Sequence, residues 1–280
     1  MGEALAGRLL LAGLKVTGFD VDPGRIARLA ALGGEAAGSA SEVACRCETI
    51  VLAVFDTGQV EDVVERAILP TLGGRSGKVV ICTSTCDPDR IAALGARAEA
   101  AGLAFLDAPV SGTSEQARTG KGVGLVGGSS EAVAKVAPVL DALFHKYFHV
   151  GGIGDGGRTK LAVNLVLGLN RLALAEGLVF AERLGLDPAA FLQVARGSAA
   201  YSQVMDTKGT KMISRDFSPE GRVRQTLKDV KLMLGQARGA GQKLPLLEVH
   251  ADVLEACVRA GEGDRDNSIV IEEIARRKAR

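Results

Sequence analysis

The sequence predicts an α/β protein in two parts: a doubly wound sheet with its helices over the first half, and an all-α second half, joined by a long helix. Three observations predict it. Short β-rich runs alternate with amphipathic stretches as far as residue 150. Beyond that point the strands stop. The segment 156–184 is then apolar almost all round, a length of roughly 45 Å at the α-helical rise.

The elements follow in order. A helix over 3–12 closes at Gly13, and a strand covers 16–20. A helix over 24–32 comes next, then strands at 49–54, 78–83, 104–108, 123–126 and 147–150. Helices over 59–67, 89–101 and 131–143 lie between them. Strands alternating with helices of this length imply parallel βαβ crossovers. The glycine-rich run 151–157 sets the boundary, giving domains 1–152 and 153–280. Asn164, Asn170, Arg171 and Glu176 interrupt the long helix. Such groups are costly inside a bilayer, so a helix packed on several sides is expected rather than a membrane span. Helices over 187–197, 223–240 and 246–260, a polar turn at 261–267 and a last helix complete the chain.

Composition narrows the function. The 280 residues are about twice a usual domain, and 47% hydrophobic content with 24% charge supports a real core. Lys+Arg 34 against Asp+Glu 33 leaves no concentrated positive face, and aromatics are 4% without Trp, which argues against nucleic-acid and acidic-membrane partners. The first residues carry Glu3 and Arg8 and no cleavage site of small residues, so no secretory leader is expected. A cytoplasmic protein with five reduced cysteines is the expectation, with no metal, since the three His are not spaced to complete a site.

Dinucleotide-binding folds of the Rossmann type run strand, G-x-G-x-x-G, helix, then an acidic residue about twenty positions on. Met1-Gly2 opens straight into the first helix, and Asp20 lies 18 residues after Gly2. This is the fingerprint without its first strand and first two glycines, with Gly2 as the third, the one that lets the helix pack closely on the sheet. Spacing alone also admits a helix-first protein in which Gly2 has no such role. A carboxylate at Asp20 suits a ribose diol and favours NAD, while nearby Arg25 admits NADP.

Lys160 and Asn164 are four apart and share a helix face. Oxidising an alcohol requires a base for its proton, and an amine held partly out of water can serve. Asn164 can hold the substrate against it. The plain alternative is a surface lysine. Arg171, seven positions on, is a contact for the substrate anion or a structural ion pair with Glu176 or another helix. Ser111 and Gly112 follow strand 104–108, where open α/β sheets bind ligands, and suit a carboxylate. Thr113 joins them or caps the helix beginning near Ser114.

Five motifs together resemble the β-hydroxyacid dehydrogenase family, of the 3-hydroxyisobutyrate dehydrogenase type, from Met1 to about Ile274. They are Met1-Gly2, the Ser/Thr segment Cys82-Thr83-Ser84-Thr85, Asp107-Ala108-Pro109-Val110-Ser111-Gly112, the run from Gly154 through Lys160 to Asn164, and Lys228-Asp229. Thr113 departs from the family's second glycine. The resemblance implies an NAD-dependent oxidoreductase, with NADP admitted, acting on a small β-hydroxy acid or its semialdehyde. Lys160 is its general acid/base and Asn164 its catalytic partner. Ser111, Gly112, Thr113 and Arg171 would meet the substrate, and Met1, Gly2, Asp20, Thr85 and Lys228 the cofactor. An imine reductase-like relative or a non-catalytic cofactor-binding scaffold is the alternative, and Lys160 counts against both. The helical half is expected to pair subunits as a homodimer or homotetramer.

Overall fold

The computed structural model describes residues 1–72 and 77–277, and the chain divides into two units, Met1–Lys160 and Leu161–Arg280. In the first, α1 (Gly2–Leu11) buries Ala4, Leu5 and Leu9, which fall on one helical face. After β1 (Thr17–Gly18), Pro23 at the first helical position and the Asp22 carboxylate, which accepts the Gly24 N–H, start α2 (Pro23–Ala31). The chain continues through β2 (Glu35–Ala36), α3 (Ala40–Arg46), β3 (Thr49–Leu52) and α4 (Thr57–Asp62), which runs on into a π-wound stretch, Val63–Ile68. Next come β4 (Val79–Cys82), α5 (Pro88–Ala100), β5 (Ala104–Asp107), β6 (Val110–Ser111), α6 (Ser114–Arg118) and β7 (Val123–Gly127). The stretch expected as one helix over 131–143 is two, α7 (Ser130–Lys135) and α8 (Ala137–Leu143), before β8 (Lys146–Gly151). Pro138 lacks the N–H that would continue the first helix.

Strands β3, β4 and β5 are parallel. The expectation of parallel crossovers throughout fails at β7, which runs antiparallel to β5. Val110 and Ser111 pair with β7 as a short antiparallel strand, and the residues left before Val123 hold only the five-residue α6. That is too little helix for a βαβ crossover. Strand β8 returns parallel to β7. Alternate residues of β4 serve two cores: Val79 and Ile81 pack with Leu5, Val133 and Leu140, whereas Val80 and Cys82 pack with Val60, Ile91 and Leu94. All four β4 residues are buried. The sheet is therefore covered on both faces, as a doubly wound sheet must be. Strands β1 and β2 form a separate two-stranded parallel sheet. A groove of about 420 Å³ is lined by Leu9, Leu14 and Thr17 together with Thr49 and Val51 of β3.

α9 (Asp155–Arg183) leads from the first unit into the second. There α10 (Pro188–Arg196), α11 (Gln203–Ser214), α12 (Val223–Gly239), α13 (Pro245–Arg259) and α14 (Val270–Arg276) enclose a core that includes Leu172, Leu178, Val230, Met233, Val253 and Leu254. The polar turn expected at 261–267 ends in buried residues, with Asp266 and Ser268 at 0% exposure. The reason is Lys208 of α11, whose Nζ lies 3.0 Å from both Asp266 oxygens and from Glu220 Oε2. Burial alone would raise the Asp266 carboxyl. The Lys208 ammonium and N–H donors from Gly221 and Ser268 outweigh it and hold the group at about 2. Helix α9 is long and apolar enough to cross a membrane, and 28% of its most apolar window is buried. Val166 and Phe180 stand out from it, and Leu184 just past its end, so the chain by itself does not cover the helix on several sides as expected.

Candidate active site

The C-terminal ends of β4 and β5 and the first turn of α9 build the site, all within the first unit. Beyond β4, Thr83 Oγ donates to Leu52 O at 2.8 Å and Ser84 Oγ to Val54 O at 2.7 Å. Two hydroxyls of the Ser/Thr segment thus fasten β4 to the chain leaving β3. Thr85, the residue expected beside the nicotinamide, follows them half-buried.

Asp107, the last residue of β5, is buried and accepts the Gly157 N–H at 2.7 Å. Helix N-termini present N–H groups without partners in their own helix, and here a strand fifty residues away in sequence supplies the cap. Burial pushes the Asp107 carboxyl up to about 6, against the N–H groups of Gly157 and Gly154 and the Arg158 guanidinium, which pull it down. Arg158 braces the same turn through Asp155 at 2.9 Å and Asp89 at 2.6 Å. A Cβ on Gly156 would run into the main-chain oxygens of Asp107 and Leu125, so only glycine lets α9 start against the backbone of β5 and β7. The sequence shows the glycines and the aspartate but not that they meet.

Lys160 lies one helical turn past Gly156 and is 6% exposed, so it is not a surface lysine. Ser111, half-buried at the end of β6, lies four residues past Asp107 in sequence. Gly112 has φ +141°, and a Cβ there would press on Gln116 Oε1, which reserves the position for glycine. Thr113 takes the second of its two expected roles. Its hydroxyl accepts the Gln116 N–H at 3.1 Å while its own N–H donates to Gln116 Oε1 at 2.8 Å, a reciprocal helix cap that engages the groups expected at the substrate.

In the second unit, Asn164 Nδ2 donates to Asp229 Oδ2 at 3.2 Å, and Lys228 Nζ lies 3.4 Å from Asp229 Oδ1. Asp229 therefore fixes which way the Asn164 amide points. Arg171 belongs to the second unit as well, and its Nε and Nη1 are buried without a hydrogen-bond partner among the described residues, so neither engages Glu176.

Features of the first unit fit a dinucleotide. No side chain caps the first turn of α1 at Met1 and Gly2, which leaves N–H groups suited to a pyrophosphate. Asp20 follows β1, its Oδ1 accepting the Asp22 N–H at 3.0 Å and its Oδ2 3.3 Å from Arg25. Close packing is not what requires Gly2, since a Cβ there would meet Ala53 at an ordinary 3.5 Å.

Comparison with known proteins agrees with this geometry. Residues 1–151 match the family model for the NAD binding domain of 6-phosphogluconate dehydrogenase. Residues 154–274 match the model described as NAD-binding of NADP-dependent 3-hydroxyisobutyrate dehydrogenase. The chain is 32% identical to L-threonate dehydrogenase of Cupriavidus necator, over 97% of this chain and 92% of that one. It is 30% identical to 2-hydroxy-3-oxopropionate reductase of Escherichia coli, over 98% and 94%. A crystal structure of 3-hydroxyisobutyrate dehydrogenase from Salmonella typhimurium superposes with a TM-score of 0.88 at 29% identity, over 97% of this chain and 95% of that one.

Proposed function

The chain belongs to the β-hydroxyacid dehydrogenase family, and on that premise we propose that it transfers a hydride between NAD(P) and a small β-hydroxy acid, or the matching semialdehyde. The observation that carries this reading is Lys160, buried at the start of a helix seated on the end of the sheet.

Bound NAD(P) supplies the hydride acceptor or donor. Lys160 Nζ takes the proton from the substrate hydroxyl in oxidation and returns it to the carbonyl oxygen in reduction. The first-turn anchors at Gly156 and Gly157 fix where that nitrogen stands, so the proton moves over a set distance. Ser111 Oγ and the unobstructed backbone at Gly112 bind the substrate carboxylate. Asn164, one turn beyond Lys160 and held by Asp229, orients the substrate oxygen. Met1 and Gly2 at the α1 N-terminus, Asp20 and Thr85 serve the cofactor. Lys228 is assigned to it on family grounds. Asp20 supports a preference for NAD, and its partner Arg25 is placed to admit NADP. The uncovered apolar residues Val166 and Phe180 of α9, with Leu184 just past its end, support packing of subunits through the helical unit, and a monomer by light scattering at micromolar concentration would contradict that.

The test is Lys160→Ala, assayed by NADH absorbance against a panel of small hydroxy acids and semialdehydes. Turnover should fall by about 10²–10⁴-fold while NAD(P) affinity is unchanged. Unaltered turnover would remove the lysine from the mechanism.

A further inference from the structure

In the second unit, α9 and α13 bring together a half-buried guanidinium and an almost wholly buried imidazole, with four of their nitrogens left without a hydrogen bond. Among the described residues, Nε and Nη1 of Arg171 are buried without a hydrogen-bond partner, and so are Nδ1 and Nε2 of His250. His250 is 1% exposed. Its ring lies against Gly168, where an added Cβ would sit 2.6 Å from Cε1, so the imidazole reaches α9 over a residue with no side chain in its way. Burial, and then Arg171 itself, pulls the imidazole down to about 4. Burial pulls Arg171 down to about 10, with Asp266 opposing. Arg171 therefore still carries its charge at neutral pH.

The carboxylate that opposes this shift is already engaged. Asp266 accepts from Lys208, from the N–H groups of Glu220, Gly221 and Ser268, and from Ser268 Oγ. A half-buried cation with two buried donors unpaired is unfavourable, and hydrogen-bonding to an anion relieves both the charge and the donors. Neutral His250 adds an N–H of its own.

We propose that Arg171 and His250 form a binding site for one small monovalent anion, a halide ion or the carboxylate group of a small acid, inside the helical unit. The site is built by residues of the second unit alone. It is small, because the imidazole is pressed onto Gly168.

Thermal unfolding of the full chain at constant ionic strength tests this, with the bulky sulfonate anion HEPES replaced stepwise by chloride in one series and by acetate in another. A saturable rise in Tm is expected, on the order of 5 °C once the anion is about a hundredfold above its Kd. A response to chloride identifies a halide site, and a response to acetate alone identifies a carboxylate site. Arg171→Leu should abolish the response. Should that variant fail to fold, anomalous diffraction from bromide-soaked wild-type crystals decides in its place, with a peak expected within hydrogen-bond distance of Arg171 and His250. No response to either anion, an equal response in Arg171→Leu, or bromide bound only elsewhere would overturn the proposal.

Discussion

Asp107→Asn isolates what the buried carboxylate does for the helix that carries Lys160. Burial lifts this carboxyl from 3.8 to about 6, and one pKa unit corresponds to about 1.4 kcal/mol. Holding the group ionised in the folded chain therefore costs about 3 kcal/mol relative to the unfolded chain. Because the folded value is the higher one, the associated stability is fully present below about pH 4 and is lost as pH rises through about 6. Asparagine cannot ionise, yet its carbonyl oxygen can still accept the Gly157 N–H. The unfolding free energy of the variant minus that of the wild type should thus increase by about 3 kcal/mol between about pH 3 and pH 8, then level off. Urea unfolding of both proteins at a series of pH values measures this directly. A difference that stays constant over that range, or shrinks, refutes the argument that the chain holds a carboxylate there against its burial.

Lys208→Met leaves Asp266 buried without its cation and should cost about 3–5 kcal/mol in chemical denaturation; a loss under about 1 kcal/mol would mean that the Asp266 N–H donors suffice by themselves. Gly156→Ala forces a Cβ onto main-chain oxygens and should destabilise the chain by about 1–3 kcal/mol and lower kcat. Gly235→Ala in α12, with nothing near the added carbon, should instead stabilise by up to about 1 kcal/mol, and equal effects on Tm at the two sites would discredit the close approach. Asp20→Asn should shift the ratio of kcat/KM values toward NADP, and an unchanged ratio rules out a role in cofactor choice.

Much of the fold was legible because hydrophobic periodicity reports burial. The long helix, the division into a mixed half and a helical half, and the strands β3, β4 and β5 all follow from it. What escaped lacked such a signal. Strand β2 is two exposed residues, and α11 carries Lys208 and Gly209 where apolar residues would reveal a buried face. Gly209 is needed because Leu192 packs where its Cβ would be, at 2.7 Å. In the candidate site, Lys160 and Asn164 could be found by their spacing, since a helix relates them locally. The work of Asp107, Thr83 and Ser84 could not, because each acts on a backbone group about thirty to fifty residues away in sequence. Thr113 shows the converse limit: a hydroxyl beside a substrate motif reads the same whether it faces a ligand or closes a helix.

The seat of α9 has a consequence for how such a protein can change. Its first turn rests on main-chain carbonyl oxygens of β5 and β7 and on the Asp107 carboxylate rather than on interlocking apolar side chains. Drift among the residues of the two cores leaves those contacts in place, because every sequence that folds this way presents the same main-chain atoms. The amine of Lys160 can stay where it is while neighbouring loops are rewritten, provided that the glycines and the aspartate beneath it are kept.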